Sequence, residues 1–438
     1  MEVLVWFLTI FGLVGIPTIL AASFPYEWLE YACIIVNAFL VFIITQQLLE
    51  IVISLFSRPV RSFTSSVFKT ITIIIPAYLP NEKDIIISTL DSYANISYNG
   101  GGAGSTFNVI LAYNTPTDMP EAEKLLTNYQ TKNSGWLSLY KVVGSRTKAQ
   151  NINYVLDNAP GINDIVGIFD ADHHPYADTL YRANYWLTDQ NYDFVQGRCK
   201  VRPNKSVLSN LVSMNFDLMY CVQHQFRKVL FDVGIFGGSD GYWKKDVLKT
   251  LKFDPTKLTE DIDCTVRAIG LGYKGTYDKM MVSSEDAPPS LTSLFHQRVR
   301  WAQGWMEVSL AHFTTYFSAP NYNAWQRFYL VNLFVIRELI CHIVLLCLPF
   351  MIAKMIWLNG FSPDLFGGLT LLYALTTYPL MVIAGIVSSY ELYHKDLWLI
   401  PVSVLASIVW IYFEQLIMMR ARVRWLLRQN NWMVTRRS

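Results

Sequence analysis

What most constrains this 438-residue chain is the placement of its apolar residues, which gather in long runs at both ends and leave a mixed middle. Residues 3–22 and 31–56 each supply the ~20 apolar positions that cross a hydrocarbon core. Apolar runs return at about 329–357, 365–389 and 397–419. Hydrophobic residues reach 52% and charged residues only 16%, a balance that points to a membrane-embedded chain. The first run follows Met1 and Glu2 without the basic segment of a secretory signal, so it is read as a retained span. Arg58, Arg61 and Lys69 follow the second run, and such charges favour the cytosolic side, which predicts a cytosolic middle.

The basic tail bearing Arg420, Arg422, Arg424, Arg428, Arg436 and Arg437 is also expected inside. Three full spans after a cytosolic domain would leave it outside. The first of the three runs is the one expected to lie partly in the interface, because Arg337, Glu338 and His342 interrupt it and ionisable groups in hydrocarbon are costly.

Between the apolar ends, short β-branched runs alternate with helical patterns. Residues 71–76, 108–112, 137–143 and 164–170 read as strands, and 83–94, 121–130, 148–156 and 177–187 as helices. That rhythm predicts an α/β sheet. Residues 99–105, with four glycines, read as a surface loop. The expected division is two spans in 1–60, an α/β domain in 68–305, an interfacial amphipathic region in 306–328, spans or interface helices in 329–419 and a basic tail in 420–438.

A net charge of +2 gives no electrostatic basis for a nucleic-acid partner. The six cysteines lie far apart without a CxxC pair, which suits buried thiols in place of a disulfide framework or zinc site.

Three short patterns carry candidate chemistry. The run 164–170 reads as a buried strand ending in Asp170, Ala171, Asp172, where open sheets place their ligands. Two hard carboxylates there suit Mg2+ or Mn2+ bridging a diphosphate, and the same residues also describe an ordinary polar turn. Thr259, Glu260 and Asp261 open a predicted helix that ends near Gly270. Thr259 reads as its N-cap and the acids as its dipole-favoured first turn, while a second reading makes Asp261 a general base toward an acceptor hydroxyl. Gln297, Arg300 and Trp301, at i, i+3 and i+4, share one helix face. A guanidinium there suits a diphosphate and an indole suits a sugar ring; equally, Arg and Trp anchor interfacial helices.

The order of these pieces resembles the membrane-integrated, processive members of family 2 glycosyltransferases, which include cellulose, chitin and hyaluronan synthases. The resemblance covers about 71–304. It begins with Pro76, Tyr78 and Glu82, similar to the family's nucleotide-binding P-x-Y-N-E element, and continues through Lys148 to Asn153, the DAD run, Gln196 to Arg198, Phe236 to Gly241, the TED run and the QRxRW run. It implies a GT-A-type, Rossmann-like cytosolic domain inserted between N-terminal and C-terminal transmembrane helices. It further implies inverting, metal-dependent hexosyl transfer from a UDP-sugar, with UDP-glucose favoured, to a growing glycan. Residue by residue, it assigns Pro76, Tyr78 and Glu82 to the nucleotide, Lys148 and Asp170 to the nucleotide and diphosphate, Asp172 to Mg2+ or Mn2+, and Asp261 to the role of base. Gln297, Arg300 and Trp301 would shape the diphosphate and acceptor site, with Gly238 and Ser239 near the acceptor terminus. Trp432, Thr435 and Arg436 resemble the family's gating segment.

One expected acid is missing: where most of that family has an aspartate at the second strand end, this chain has Asn114. Two further functions stay open, a single addition to a glycolipid acceptor and a nucleotide-binding membrane protein without catalysis.

Overall fold

The computed structural model describes residues 2–23, 25–60, 64–65, 67–96, 98, 107–202, 204, 206–342, 368–388 and 399–429. The glycine-rich loop, the end of the first C-terminal apolar run and the candidate gating residues Trp432, Thr435 and Arg436 lie outside the described residues. Helix α1 (Glu2–Ile10) passes through a π-helical turn, Phe11–Gly15, into α2 (Ile16–Ser23), and α3 (Tyr26–Phe56) comes next. Glu2–Leu20 and Ile34–Phe56 are long and apolar enough to cross a membrane, and only 22% of each is buried within the protein.

The middle begins with β1 (Ile71–Tyr78), α4 (Leu79–Glu82), α5 (Ile86–Ala94), β2 (Phe107–Asn114), α6 (Pro120–Lys132), β3 (Leu137–Lys141), α7 (Lys148–Asn158) and β4 (Ile165–Ile168). These four strands are parallel, as the alternation of strand and helix requires. β1 reads as an unbroken apolar run because helices cover both of its faces. Ile71, Ile73 and Ile75 pack with Tyr93, Leu126 and Trp186 on one side, and Ile74 with Ile152, Val155 and Trp243 on the other.

The chain then continues with mixed strand pairing, β6 and β8 parallel and the rest antiparallel, through β5 (His174–Pro175), α8 (Thr179–Asn184), β6 (Phe194–Val201), α9 (Val207–Asp217), α10 (Gln225–Phe231), β7 (Gly241–Lys244), α11 (Lys245–Leu251), α12 (Glu260–Gly270) and β8 (Gly275–Glu285). A π-helical stretch, Leu218–His224, joins α9 to α10. The eight strands lie in the order β3-β2-β1-β4-β7-β6-β8-β5. Near its centre Gly167 is flanked by Ile73 on β1 and Tyr242 on β7. A Cβ on Gly167 would come within 2.6 Å of the Ile73 side chain and 2.7 Å of the Tyr242 ring. Gly167→Ala is therefore expected to cost about 2 kcal/mol by overpacking, read as a lowered melting temperature of the detergent-purified protein.

Helix α13 (Leu291–Ala311) continues through residue 305, so the sheet domain and the C-terminal region share one helix. After it come α14 (Thr315–Ser318), α15 (Ala324–Val331), a π-helical run Asn332–Cys341, α16 (Gly368–Ser388) and α17 (Leu399–Leu426). Arg337, one of the charges that interrupt this region, reaches Glu50 of α3 at 3.5 Å, and Gln46 donates to the same carboxylate at 2.8 Å. Both contacts fall on the same Glu50 oxygen, Oε1, between two apolar elements.

The apolar helices also join the sheet domain. Met381, Val382, Ala384 and Ile386 of α16 form a core with Met214, Leu218 and Val222. A Cβ on Gly385 would lie 2.9 Å from the Leu218 backbone nitrogen, so only glycine permits this approach. Cys199, Cys221, Cys264 and Cys341 are buried.

Candidate functional site

The C-terminal ends of β1, β2 and β4 reach one edge of the sheet, where an open α/β fold collects its ligands. A cleft of about 620 Å³ opens there, and its walls draw on most of the segments that the sequence singled out, the run Gln196 to Arg198 excepted. Pro76, Tyr78 and Glu82 line one end. The Tyr78 backbone N–H donates to the Glu82 carboxylate at 2.8 Å, which folds Leu79–Glu82 into a single turn behind the Tyr78 ring.

Lys148 opens α7, and Thr147 before it caps that helix by accepting from the Gln150 amide. The Lys148 ammonium donates to Asp170 at 2.5 Å and to the Gly238 carbonyl at 2.6 Å. Gly238 has φ +94°, and a Cβ on it would stand 2.7 Å from an Asp261 carboxylate oxygen. A side chain is thus excluded where the backbone runs between the lysine and the second carboxylate. Ser239 is 3% exposed and accepts the Asp170 amide at 3.0 Å, so it braces the strand end and does not line the cleft. Gln196 holds the rest of this loop, accepting from Gly237 at 2.8 Å and donating to the Ser239 carbonyl at 2.8 Å.

Asp261 faces the cleft from the N-terminus of α12, next to Glu260. Its carboxylate accepts the Ile262 amide at 2.9 Å, the bond that a helix N-terminus offers to an anion. Burial raises the Asp261 carboxyl above its usual range, with Lys148 opposing. Burial first and Asp261 second push Glu260 up to about 7, again against Lys148 and Arg300. For Lys148, burial works against the charge, but Asp170, Glu260 and Asp261 outweigh it and hold the ammonium above the ordinary lysine value.

The expected cap at Thr259 does not form. Thr259 precedes α12, but its hydroxyl makes no cap bond because it is packed against Gly304 of α13, where a Cβ would be 2.5 Å away. Gln297, Arg300 and Trp301 do share one face of α13 and line the cleft opposite Asp261. Arg300 donates to the Leu258 carbonyl at 3.1 Å, which ties α13 to the segment before α12. Among the described residues the Gln297 carbonyl oxygen is buried without a hydrogen-bond partner. Trp301 is half-buried beside Phe216, Tyr220 and Leu294, with Arg298 stacked 4.4 Å from its ring centre.

Asp172 stands apart from the lining. It is 1% exposed and accepts the Asp286 amide at 3.3 Å. His173 is a core residue, held by Ser283 at 3.0 Å and Glu285 at 2.7 Å. Some lining residues carried no role in the sequence. Asn114 and Asn151 form an amide pair at 2.8 Å, and Asn114 donates to the Ser145 carbonyl at 3.0 Å. Glu285 and Asp286 arrive at the cleft from the end of β8, and His224 from the π-helical stretch.

Among the described residues no three His, Cys, Asp or Glu side chains gather as a metal cage. Mg2+ typically takes one or two carboxylates and completes its shell with water and substrate phosphates. Asp170 on the cleft wall fits that pattern as one carboxylate, whereas Asp172, buried outside the lining, does not face the cleft.

Known proteins agree with this geometry. A family described as "Glycosyl transferase family group 2" matches residues 165–390, and one described as "Glycosyl transferase family 2" matches 72–251. Glucomannan 4-beta-mannosyltransferase 9 of Arabidopsis thaliana is 28% identical over 185 residues, 41% of this chain and 35% of its own. A probable glucomannan 4-beta-mannosyltransferase 9 of Oryza sativa is likewise 28% identical, over 41% of this chain and 35% of its own. The match therefore spans about a third of the length of these curated relatives. The mannosyltransferase PcManGT from Pyrobaculum calidifontis, solved in complex with GDP-Man and Mn2+, superposes on 84% of this chain and 100% of its own with a TM-score of 0.58 and 21% identity, a likeness of fold.

Proposed function

The chain belongs to glycosyl transferase family group 2, and on that premise we propose that it transfers a hexose from a nucleoside diphosphate sugar to a hydroxyl of a growing polysaccharide, with Asp261 as general base. The observation that carries this reading is the convergence of Lys148, Asp170, Asp261 and Arg300 on one cleft, two cations facing two carboxylates from four different segments.

In this mechanism the diphosphate lies between Lys148 and Arg300, which offset its charge as the leaving group departs. The acceptor hydroxyl gives its proton to the Asp261 carboxylate. Its oxygen forms the new bond to the anomeric carbon while the bond from that carbon to the diphosphate oxygen breaks, its electron pair leaving with the nucleoside diphosphate. One displacement of this kind inverts the anomeric carbon. Trp301 presents an indole on which an acceptor sugar stacks, and the unpaired Gln297 carbonyl oxygen accepts from a sugar hydroxyl. Asp170 would hold Mg2+ or Mn2+ at the cleft wall, the ion supplying further neutralisation of the diphosphate, and the role implied for Asp172 would need its buried carboxylate to reach the same ion. Pro76, Tyr78 and Glu82 form the nucleotide end.

For the donor, the expectation of UDP-glucose finds no support among the relatives, which are named as mannosyltransferases. We therefore favour GDP-mannose. The two outward-facing apolar helices before the sheet domain support a membrane enzyme whose cleft opens to the cytosol. In nanodiscs with Mg2+ or Mn2+ and a panel of radiolabelled nucleotide sugars, kcat/KM for GDP-mannose is expected to exceed that for UDP-glucose by about tenfold or more. A high-mass product supports polysaccharide synthesis; a lipid-sized one supports single addition; turnover fastest with UDP-glucose overturns the mannosyl assignment.

A further inference from the structure

Away from the cleft, α1, α13 and α17 enclose a second cavity of about 300 Å³. Thr292, Phe295, His296 and Val299 line it from a different face of α13 than the one carrying Gln297, Arg300 and Trp301. Two guanidiniums, Arg420 and Arg424, enter from α17, only 3% and 7% exposed. Arg424 donates to Gln303 at 3.3 Å and to the Gln429 carbonyl at 3.3 Å. Arg420 stacks 4.3 Å from the Trp6 ring centre, and Trp6 stacks on Phe295 at 5.8 Å. Among the described residues the Arg420 Nη1 group is buried with no hydrogen-bond partner. Its other terminal nitrogen contacts Glu2, whose side chain is 67% exposed.

Arg420 is nearly desolvated, keeps one terminal nitrogen without a partner among the described residues and pairs with a solvent-facing carboxylate, an arrangement that is costly unless an anion completes the site. The planar Arg fork matches a phosphate oxygen pair. Trp6, Phe295, Phe413 and Leu416 make the remaining wall apolar, a surface that suits a molecule with a phosphate at one end and hydrocarbon at the other. The cavity is also lined by Glu2 and Trp6 at the start of a helix long and apolar enough to cross a membrane, and aromatic side chains at such helix ends favour the headgroup region. We propose that this cavity binds the phosphate of an anionic lipid headgroup, with Arg420 as principal contact, Arg424 as second cation and Glu2 as the carboxylate that the lipid displaces. Occupancy ties α1 and α17 to α13, the helix that also lines the cleft.

The test reconstitutes the full chain in nanodiscs of phosphatidylcholine doped with phosphatidylglycerol and counts retained lipids by native mass spectrometry after mild detergent extraction. Wild type is expected to retain phosphatidylglycerol selectively. Arg420→Gln is expected to lower that retention about tenfold, the loss of one charge-assisted contact. Glu2→Gln removes the competing carboxylate at an exposed position and is expected to raise retention, a gain that a misfolded protein would not give. Equal retention in wild type and Glu2→Gln, or no preference for phosphatidylglycerol, overturns the site. Displacement of the lipid by added inorganic phosphate overturns the lipid assignment in favour of a soluble anion.

Discussion

Replacing Asp261 with asparagine is expected to lower kcat by about three orders of magnitude while changing donor affinity only a few-fold. General base catalysis contributes roughly 10² to 10⁴ in rate, and loss of the carboxylate also removes negative charge that balances Lys148 and Arg300. The amide is nearly the same size, and its oxygen still accepts the Ile262 amide at the start of α12. The variant should therefore fold, and donor binding measured by calorimetry separates lost chemistry from lost structure. If transfer persists at more than about a tenth of the wild-type rate, a loss smaller than general base catalysis supplies, the base lies elsewhere. Glu260, the next carboxylate in the same turn, is then the first candidate.

Lys148→Met is expected to reduce kcat/KM by about 10² or more, the scale on which a preorganised charge partner of the leaving group acts. It should also move the acid limb of the pH–rate profile upward. Lys148 opposes the burial that raises both Glu260 and Asp261, so without it both carboxyls hold their protons to higher pH and the base form appears later. Stability carries a matching signature. Glu260 is raised from 4.5 to about 7, so the stability it contributes is complete below pH 4.5 and lost as pH rises through about 7. Lys148 is raised above 10.5, so its contribution is present at neutral pH and lost only as pH rises through its folded value. Lys148→Met should thus destabilise the protein more at pH 8 than at pH 5, measured as melting temperature across that range.

Much of the sheet is legible in the sequence because its parallel half is buried on both faces. Runs such as Ile71 to Ile75 carry strand character in their composition alone. The mixed half is less so: β8 carries Asp278 and Lys279, only 4% and 2% exposed, which break the apolar pattern. Their partners come from distant segments, Arg182 at 3.1 Å and the Ser388 carbonyl at 3.3 Å, and no local rule announces such pairs.

The cleft divides in the same way. Lys148, Asp170, Asp261 and Arg300 are recognisable as a series because each sits at a strand end, a helix start or a repeated helix face. His224 lines the same space from the interior of a π-helical segment, where nothing in its spacing marks it. Thr259 shows the reverse error. Its type and position fit a cap, but the close approach of Gly304 uses its side chain for packing. Glu285 had a usable signal, since it ends a strand parallel to β6, but that strand had first to be found.

The contact between Gly385 and Leu218 bears on how such an enzyme can change over time. The C-terminal apolar helix and the sheet domain are keyed to each other at a point where no side chain fits. Recombination that swapped one without the other would bring together two surfaces lacking the matching notch, so the two parts are constrained to be inherited as one piece and to drift together. New specificity would then arise within the cleft loops, not by exchanging sheet domains among apolar helices.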